Sequence, residues 1–226
     1  MDAVLITGGS SGLGAAVADA VAKDGGRPLI IDRQRPADGL DWIECDLADT
    51  RAAEEATRRA IELAGGDVDG VVTAAGFDVP GSLADVPAEV WERIVTVDLL
   101  ATAAVIRAAL PALKRSHGTI VTVASTLGVK AVGDATAYCA AKFGVVGFTR
   151  SLAAELAGEV NVTLLIPGGM WTRFFDDRED RYKPGPDASL NDPAHTAGAV
   201  LFALSQPPGC SVRELVVASE KETSYP

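Results

Sequence analysis

The feature that most constrains the fold of this chain is a regular alternation of short, unbroken apolar runs with longer helical stretches. Strands that are buried on both faces of a sheet give continuous apolar runs, because neither face is left for polar side chains. The first run, Ala3 to Thr7, stops at two glycines and is followed by a helical pattern from Leu13 to Lys23. Alternation of this kind predicts an α/β fold, a Rossmann-type doubly wound parallel sheet with helices on both faces.

The same alternation continues along the chain and predicts about seven strands in a single domain, residues 1–226. After the first strand and helix, we predict strands at 28–32, 42–45, 68–73, 119–124, 161–166 and 213–218, and helices at 49–64, 87–115 (one or two), 135–157 and 193–205. A chain of 226 residues, 48% of them hydrophobic, suffices for one sizeable core and is short for two. The irregular stretch 168–192 predicts a substrate lid or loop over 170–192.

Composition narrows the expected partners and compartment. The formal net charge of −11 repels phosphates and anionic lipids, so we expect neither nucleic acid nor a membrane as a partner. Three widely spaced cysteines suit reduced thiols, and with only two histidines we expect no metal site. No signal peptide is visible, and no run of 18 apolar residues is free of charges or helix breakers, so we expect a cytoplasmic protein without a transmembrane helix.

A glycine-rich turn joins the first strand to the first helix. Glycine lets a backbone approach a pyrophosphate closely, and a helix N-terminus offers free N–H groups and the positive end of a dipole. The spacing here is G-x-x-x-G-x-G rather than G-x-G-x-x-G, and an ordinary strand-to-helix turn is the alternative. The candidate cofactor-binding residues of this turn are Gly8, Ser10, Ser11, Gly12, Leu13 and Gly14.

Two aspartates follow the second and third predicted strands. Asp32 comes eighteen residues after Gly14, where an acidic side chain can accept hydrogen bonds from the adenosine ribose hydroxyls. Asp46 follows the third strand, where a side chain could reach the adenine. On spacing alone, either aspartate could equally be a turn or cap residue.

A serine, a tyrosine and a lysine are candidate catalytic residues. Tyr138 and Lys142 lie four apart in a predicted helix and share a face. A drop of roughly three units in a tyrosine pKa, from about 10, needs about 4 kcal/mol, and a nearby ammonium can supply it. Ser125, thirteen residues before Tyr138, could stabilise negative charge on a substrate oxygen. Each signal alone is weak, because surface pairs and caps look the same. The glycine turn, Asp32, Ser125 and Pro167-Gly168, however, lie in order at the carboxyl ends of predicted strands, where an open α/β sheet binds ligands.

With these residues in place, the sequence resembles the classical short-chain dehydrogenase/reductase family over nearly its whole length. The motifs that carry the resemblance are Thr7-Gly8-x-x-x-Gly12-Leu13-Gly14, Asp46-Leu47, Ala74-Ala75-Gly76, Ser125, Tyr138-Cys139-Ala140-Ala141-Lys142, and Pro167-Gly168 through Thr172. The resemblance implies an NAD(P)-dependent oxidoreductase that transfers a hydride between nicotinamide and a carbonyl or secondary alcohol. It also implies cofactor contacts from the motif residues. Arg33, which could reach a cofactor phosphate, is a further candidate cofactor-binding residue.

The resemblance further implies a role for each catalytic candidate. Tyr138 would be the general acid in reduction and the general base in oxidation. Lys142 would lower the pKa of Tyr138 and hold the nicotinamide ribose. Ser125 would orient and polarise the substrate oxygen, and Thr172 would lie near the nicotinamide carboxamide.

Three departures from the family pattern are visible. Thr73-Ala74-Ala75-Gly76 stands where the family usually has Asn-Asn-Ala-Gly, and residues 219–226 lack the usual glycine pair. Asp98, in Val97-Asp98-Leu99, stands where the family usually has a catalytic Asn. We expect Asp98 to favour the Lys142 ammonium and oppose a Tyr138 phenolate, unless it only caps or kinks its helix.

The charged residues after the second predicted strand bear on cofactor choice. Asp32 would repel a 2′-phosphate, which favours NAD, although Arg33 and Arg35 leave NADP open.

The remaining predictions concern assembly and alternative functions. The helix at 135–157 is rich in small and apolar residues, and the family usually pairs it across a twofold axis, so we expect a homodimer or homotetramer. The alternatives are a dinucleotide-binding regulatory or scaffold protein with little turnover, and a sugar-nucleotide epimerase or dehydratase, which the short chain disfavours.

Overall fold

In the computed structural model, which describes residues 2–207 and 209–225, seven parallel strands form one sheet. Positions 1, 208 and 226 of the predicted domain lie outside the described residues. The spatial order is β3-β2-β1-β4-β5-β6-β7, which confirms the predicted Rossmann-type fold. The strands are β1 (Ala3–Thr7), β2 (Arg27–Asp32), β3 (Asp41–Glu44), β4 (Gly70–Thr73), β5 (Thr119–Val123), β6 (Asn161–Pro167) and β7 (Glu214–Val217).

Helices cover both faces of this sheet. They are α1 (Gly12–Lys23), α2 (Thr50–Leu63), α3 (Ala88–Val95), α4 (Ala101–Ser116), α5 (Thr136–Glu155) and α6 (Pro193–Leu204). Successive side chains of a strand point to opposite faces. On β1, Leu5 therefore packs in the layer with α2, α4 and α5, whereas Val4 and Ile6 pack in the layer with α1 and α6. Burial on both faces explains why the strands read as unbroken apolar runs.

The strand order reverses between β1 and β4. From β1 the chain builds the sheet outward through β2 and β3, then returns to add β4 to β7 on the other side. Open α/β sheets bind ligands at the carboxyl ends of the strands beside such a reversal. The glycine turn after β1 and the residues after β4, β5 and β6 all lie at this edge.

The predicted helical region 87–115 contains a feature that the sequence did not reveal. It consists of α3 and α4 joined by a π-helical turn, Thr96–Leu100. By length and composition, the whole stretch Ala88–Ser116 could cross a membrane, but 44% of its most apolar 18-residue window is buried inside the protein. A core helix of a soluble protein passes the same test.

The segment predicted as a lid is irregular, apart from two single turns of 3₁₀-helix. These are Arg173–Phe175 and Asp180–Tyr182. Its two ends meet in an isolated bridge between Met170 and Asn191, so the segment leaves the sheet edge and returns to it at one place. Its role as a substrate lid stays a prediction.

Candidate active site

The glycine turn packs directly against the loop after β4. Gly8 has φ +72°, and a Cβ at this position would lie 2.7 Å from the Cα of Ala75. The amide of Ala75 also donates to Thr7 Oγ1 over 3.2 Å. The turn and the Ala74–Ala75 pair therefore form one continuous surface at the strand-order reversal, which brings two of the predicted cofactor motifs together.

The N-terminus of α1 is open to an anion. Its N-cap, Ser11, makes no capping hydrogen bond through its side chain, and the first turn carries no acidic residue. The first-turn N–H groups are therefore not satisfied by a cap, and the positive end of the helix dipole is not neutralised locally. These residues fit a dinucleotide pyrophosphate.

Asp32 ties the end of β2 to the glycine turn. Its Oδ2 accepts from the Ser10 hydroxyl (2.6 Å) and the Ser10 amide (3.0 Å), and its Oδ1 accepts from the Gln34 amide (2.9 Å). The carboxylate is thus a turn-fixing group, as the alternative interpretation held. Its Oδ1 has further lone-pair capacity, so it can still accept from a ribose hydroxyl. The neighbouring Arg33 is exposed.

Asp46 pairs with a cation from α3. Its Oδ2 lies 2.7 Å from a guanidinium nitrogen of Arg93, and its Oδ1 accepts from the Ala48 amide over 3.0 Å. The hydrogen bond from Arg93, followed by that from Ala48, lowers the pKa of Asp46. Leu47, the other half of this motif, packs in the core, so any contact that it makes with a cofactor would come from its backbone.

Lys142 is buried deep in the site, on the α5 face that also carries Tyr138. Its side chain is 5% exposed, and Nζ donates to the Val123 carbonyl oxygen over 3.2 Å. The same Nζ lies 5.4 Å from the centre of the Tyr138 ring. Ser125 caps the 3₁₀ turn Thr126–Gly128, where its hydroxyl accepts from the Leu127 amide. Ser125, Tyr138 and Lys142 therefore come together after β5, and the capping alternative for Ser125 holds as well.

The π-helical turn places Asp98 beside Lys142. Asp98 is 1% exposed, its Oδ1 accepts from the Phe77 amide (3.0 Å), and its Oδ2 lies 3.3 Å from Lys142 Nζ. A Cβ at Gly76 would lie 2.8 Å from Asp98 Oδ2, so glycine leaves the room for this ion pair. A π turn inserts one extra residue into a helix and is frequent at functional sites.

The buried groups act on one another in opposite directions. Burial raises the pKa of Tyr138, Lys142 lowers it, Asp98 raises it again and Ser125 lowers it, with a net increase. Burial lowers the pKa of Lys142, but Asp98 and then Tyr138 raise it, and the net shift is upward. Lys142 acts to lower the pKa of Tyr138, whereas burial and Asp98 outweigh it in the protein alone.

A second, partly buried ion pair, which sequence reasoning missed, joins the segment 170–192 to the loop after β4. Arg178 donates to Asp78 Oδ2 over 3.0 Å, and their side chains are 13% and 4% exposed. The guanidinium lies 4.6 Å from the ring centre of Phe174, which in turn packs against Tyr138 at 5.6 Å. Burial raises the pKa of Asp78 to about 6, against the opposing effect of Arg178. No local spacing could signal a pair 100 residues apart in sequence.

The remaining predicted site residues, Pro167, Gly168 and Thr172, lie at the C-terminal end of β6 and in the loop that follows it. Pro167 ends this strand, and the Gly168 amide donates to the Val217 carbonyl oxygen. The Thr172 side chain lies 3.5 Å from where a Gly12 Cβ would be, so the loop after β6 runs beside the glycine turn. Across residues 2–207 and 209–225, no group of three or more His, Cys, Asp or Glu side chains could hold a metal ion.

Comparisons with known proteins find a matching family and relatives over most of this chain. The family model described as "short chain dehydrogenase" matches residues 2–183. The 3-oxoacyl-[acyl-carrier-protein] reductase MabA of Mycobacterium tuberculosis is 31% identical over 90% of this chain and 85% of its own length. The L-fucose dehydrogenase of Mus musculus is 28% identical over 98% of this chain and 89% of its own.

Two solved structures with bound dinucleotides have the same fold. An alcohol dehydrogenase from Thermococcus sibiricus, complexed with 5-hydroxy-NADP, is 26% identical with a TM-score of 0.86, and the match covers 98% of both chains. A 3-ketoacyl-(acyl-carrier-protein) reductase from Brucella melitensis, complexed with NADH, is 27% identical with a TM-score of 0.84, covering 96% of both chains.

Proposed function

Because this chain belongs to the short-chain dehydrogenase family and is an NAD(P)-dependent oxidoreductase, we propose that it interconverts a carbonyl and a secondary alcohol by a Ser-Tyr-Lys mechanism. The observation that carries the proposal is the meeting of Ser125, Tyr138 and buried Lys142 at the sheet edge that also holds the glycine turn. Lys142 supplies an ammonium beside the Tyr138 ring, and a nearby positive charge favours the phenolate that proton transfer by a phenol passes through.

The proposed steps assign one task to each side chain. The bound nicotinamide supplies the hydride in reduction and accepts it in oxidation. In reduction, the Tyr138 hydroxyl gives its proton to the carbonyl oxygen, and in oxidation the phenolate takes it back. The Ser125 hydroxyl donates a hydrogen bond to the same oxygen, and the Lys142 ammonium stabilises the phenolate.

Turnover with a substrate panel tests the proposal. The purified protein, given NAD(H) or NADP(H) and a series of ketones, aldehydes and secondary alcohols, is expected to oxidise or reduce at least one of them, followed at 340 nm as a change in nicotinamide absorbance. A protein that binds dinucleotide tightly and turns over none of a broad panel would support the regulatory or scaffold alternative instead.

The proposed partner is a small carbonyl or alcohol compound. The proposed location is the cytoplasm, where the three free cysteines would stay reduced.

We expect this enzyme to prefer NAD over NADP. Asp32 is a fixed carboxylate at the end of β2, so a 2′-phosphate at the ribose would face a like charge. Arg35, which could have bound that phosphate, has Asp38 within 3.9 Å, whereas the exposed Arg33 could still bind it. The measurement is kcat/KM for each cofactor in wild type and in Asp32→Asn, which keeps the shape and removes the charge. In the wild type, kcat/KM with NAD should exceed kcat/KM with NADP, and this difference should be smaller in the variant. A tenfold preference of the wild type for NADP would contradict the prediction.

We also expect a homodimer or homotetramer that uses one face of α5. Of the small and apolar residues on this helix, Ala137, Ala141, Val145 and Val146 are buried against the protein's own core. Ala140, Phe143 and Gly147 instead form an exposed stripe, with Phe143 44% exposed and open space around a Cβ at Gly147. This stripe is the part of the helix that remains available for an isologous contact.

A substitution on the exposed stripe tests the assembly. Gly147→Glu places a charge where the folded chain has room for it, so it should reduce the mass measured by light scattering without unfolding the protein. Ala22→Glu, on the exposed side of α1, is the matched control and should leave the mass unchanged. A monomeric wild type at micromolar concentration would exclude the predicted oligomer.

A further inference from the structure

The segment that follows β7, residues 219–225, folds back against two loops of the candidate active site. Lys130 Nζ donates to the Thr223 carbonyl oxygen over 2.9 Å. Ser224 Oγ lies 2.7 Å from Thr126 Oγ1, in the turn that Ser125 caps. Glu222 Oε2 accepts from the Gly169 amide, in the loop after β6, over 3.1 Å. One short segment therefore connects the 3₁₀ turn that Ser125 caps, here called the serine turn, to the loop that carries Thr172.

The carboxylate of Glu222 is the centre of these contacts. Besides the Gly169 amide, it accepts from the Ser224 amide (3.0 Å) and the Ser224 hydroxyl (2.7 Å) on Oε1. Partial burial acts to raise the pKa of Glu222, but the hydrogen bonds from Ser224 and from backbone amides outweigh it, and the net pKa is lowered. The group is therefore an anion at neutral pH, and hydrogen bonds to a charged acceptor are stronger than those between neutral groups.

The Ser224 hydroxyl connects the Glu222 carboxylate to the serine turn. It lies 2.7 Å from both Glu222 Oε1 and Thr126 Oγ1, yet a hydroxyl has only one proton to donate. When Ser224 donates to the carboxylate, the Thr126 hydroxyl completes the second bond with its own proton. The chain Glu222–Ser224–Thr126 thus holds the loop after β6 at a fixed distance from the turn that contains Ser125.

The contact with the loop after β6 is tight. A Cβ at Gly168 would lie 2.7 Å from Glu222 Oε2, so the carboxylate presses directly on the backbone at the end of β6. Three residues beyond Gly169, Thr172 lies next to Gly12 of the glycine turn. The part of the loop that Glu222 fixes is the part that leads to the residue assigned to the nicotinamide carboxamide.

We propose that Glu222 and Ser224 are positioning residues, which hold the loop after β6 so that it forms the nicotinamide end of the cofactor site. This inference rests on the proposed function and adds residues that lie outside the family motifs of this chain. The adenosine half of the cofactor depends on other groups, namely the glycine turn and Asp32. Loss of the anchor therefore weakens the binding of the nicotinamide half alone.

Paired titrations with two ligands test this division. NADH and ADP-ribose share the adenosine and both phosphates, but only NADH carries the nicotinamide. In Glu222→Ala, the Kd for NADH should rise about tenfold, the typical effect of losing a hydrogen bond to a charged group, while the Kd for ADP-ribose stays within about twofold of wild type. Glu220→Ala, an exposed glutamate two residues away, is the matched control and should change neither Kd.

Ser224→Ala gives a second, milder test that removes a single hydroxyl. It should raise the Kd for NADH by about threefold and leave the Kd for ADP-ribose unchanged. If Glu222→Ala does not fold, Ser224→Ala alone tests the inference. Equal losses for the two ligands, or no loss for NADH in either variant, would overturn the inference. A wild type that does not bind NADH would instead contradict the proposed function, so the two failures are distinguishable.

Discussion

Replacing Tyr138 with phenylalanine should lower kcat by about 10²–10⁴-fold, the usual contribution of a general acid–base group. The variant removes only the hydroxyl, so the ring keeps its contact with Phe174 and its place over Lys142. Binding of NADH should consequently stay near the wild-type value, and unfolding temperature should change little. Steady-state turnover and a cofactor titration on the same preparation measure both effects.

A second tyrosine in the chain provides the matched control. Tyr182 lies in the segment 170–192, where its hydroxyl donates to Asp134 Oδ2 over 2.9 Å at an exposed site. Tyr182→Phe loses one hydroxyl from the same kind of ring but should retain nearly full turnover. If Tyr138→Phe keeps a wild-type kcat, or if the two variants lose turnover equally, the assignment of proton transfer to Tyr138 is wrong.

The predictable parts of this molecule are those that depend on neighbours in sequence. The apolar runs gave strand positions within one or two residues, because burial on both faces excludes polar side chains from them. Tyr138 and Lys142 could be paired because a helix brings residues four apart to one face. The glycine turn could be placed for the same reason, since it joins two elements that follow each other directly.

The parts that could not be predicted depend on tertiary packing. The π-helical turn at Thr96–Leu100 was not predicted, and it contains Asp98, which pairs with Lys142. The ion pair of Asp78 with Arg178 and the contact of Glu222 with Gly169 join segments that are 100 and 53 residues apart. Each of these features lies at the site, where neighbouring loops rather than chain neighbours decide the geometry.

The two ion pairs have a common effect on the site. Lys142 lies beside the Tyr138 ring, and Arg178 lies over Phe174, which packs against that ring. Asp98 and Asp78 pair with these two cations. Asp98 and Asp78 both raise the pKa of Tyr138, whereas Lys142 lowers it. The phenolate therefore lacks the unbalanced ammonium that an uncharged residue at position 98 would leave beside it.

Replacing Asp98 with asparagine should consequently move the pH profile of alcohol oxidation to lower pH, by about one unit, the scale on which one nearby charge shifts a pKa. In the proposed mechanism oxidation needs the Tyr138 phenolate, and Asp98 raises the pKa of Tyr138 through its charge. Asparagine has almost the same shape and can still accept from the Phe77 amide, while Lys142 keeps its bond to the Val123 carbonyl oxygen. The change therefore removes a charge with little disturbance of the packing.

The measurement is kcat/KM for oxidation across pH, because this ratio reports ionisations in the free enzyme. Asp24→Asn, at the exposed end of α1, removes a distant charge and should leave the profile where it is. Loss of Asp98 also removes one of the groups that raise the pKa of Lys142, so a falling activity at alkaline pH in the variant would report the lysine losing its proton. A profile that does not move would show that Asp98 stabilises the π-helical turn and binds the Phe77 amide without influencing the pKa of Tyr138.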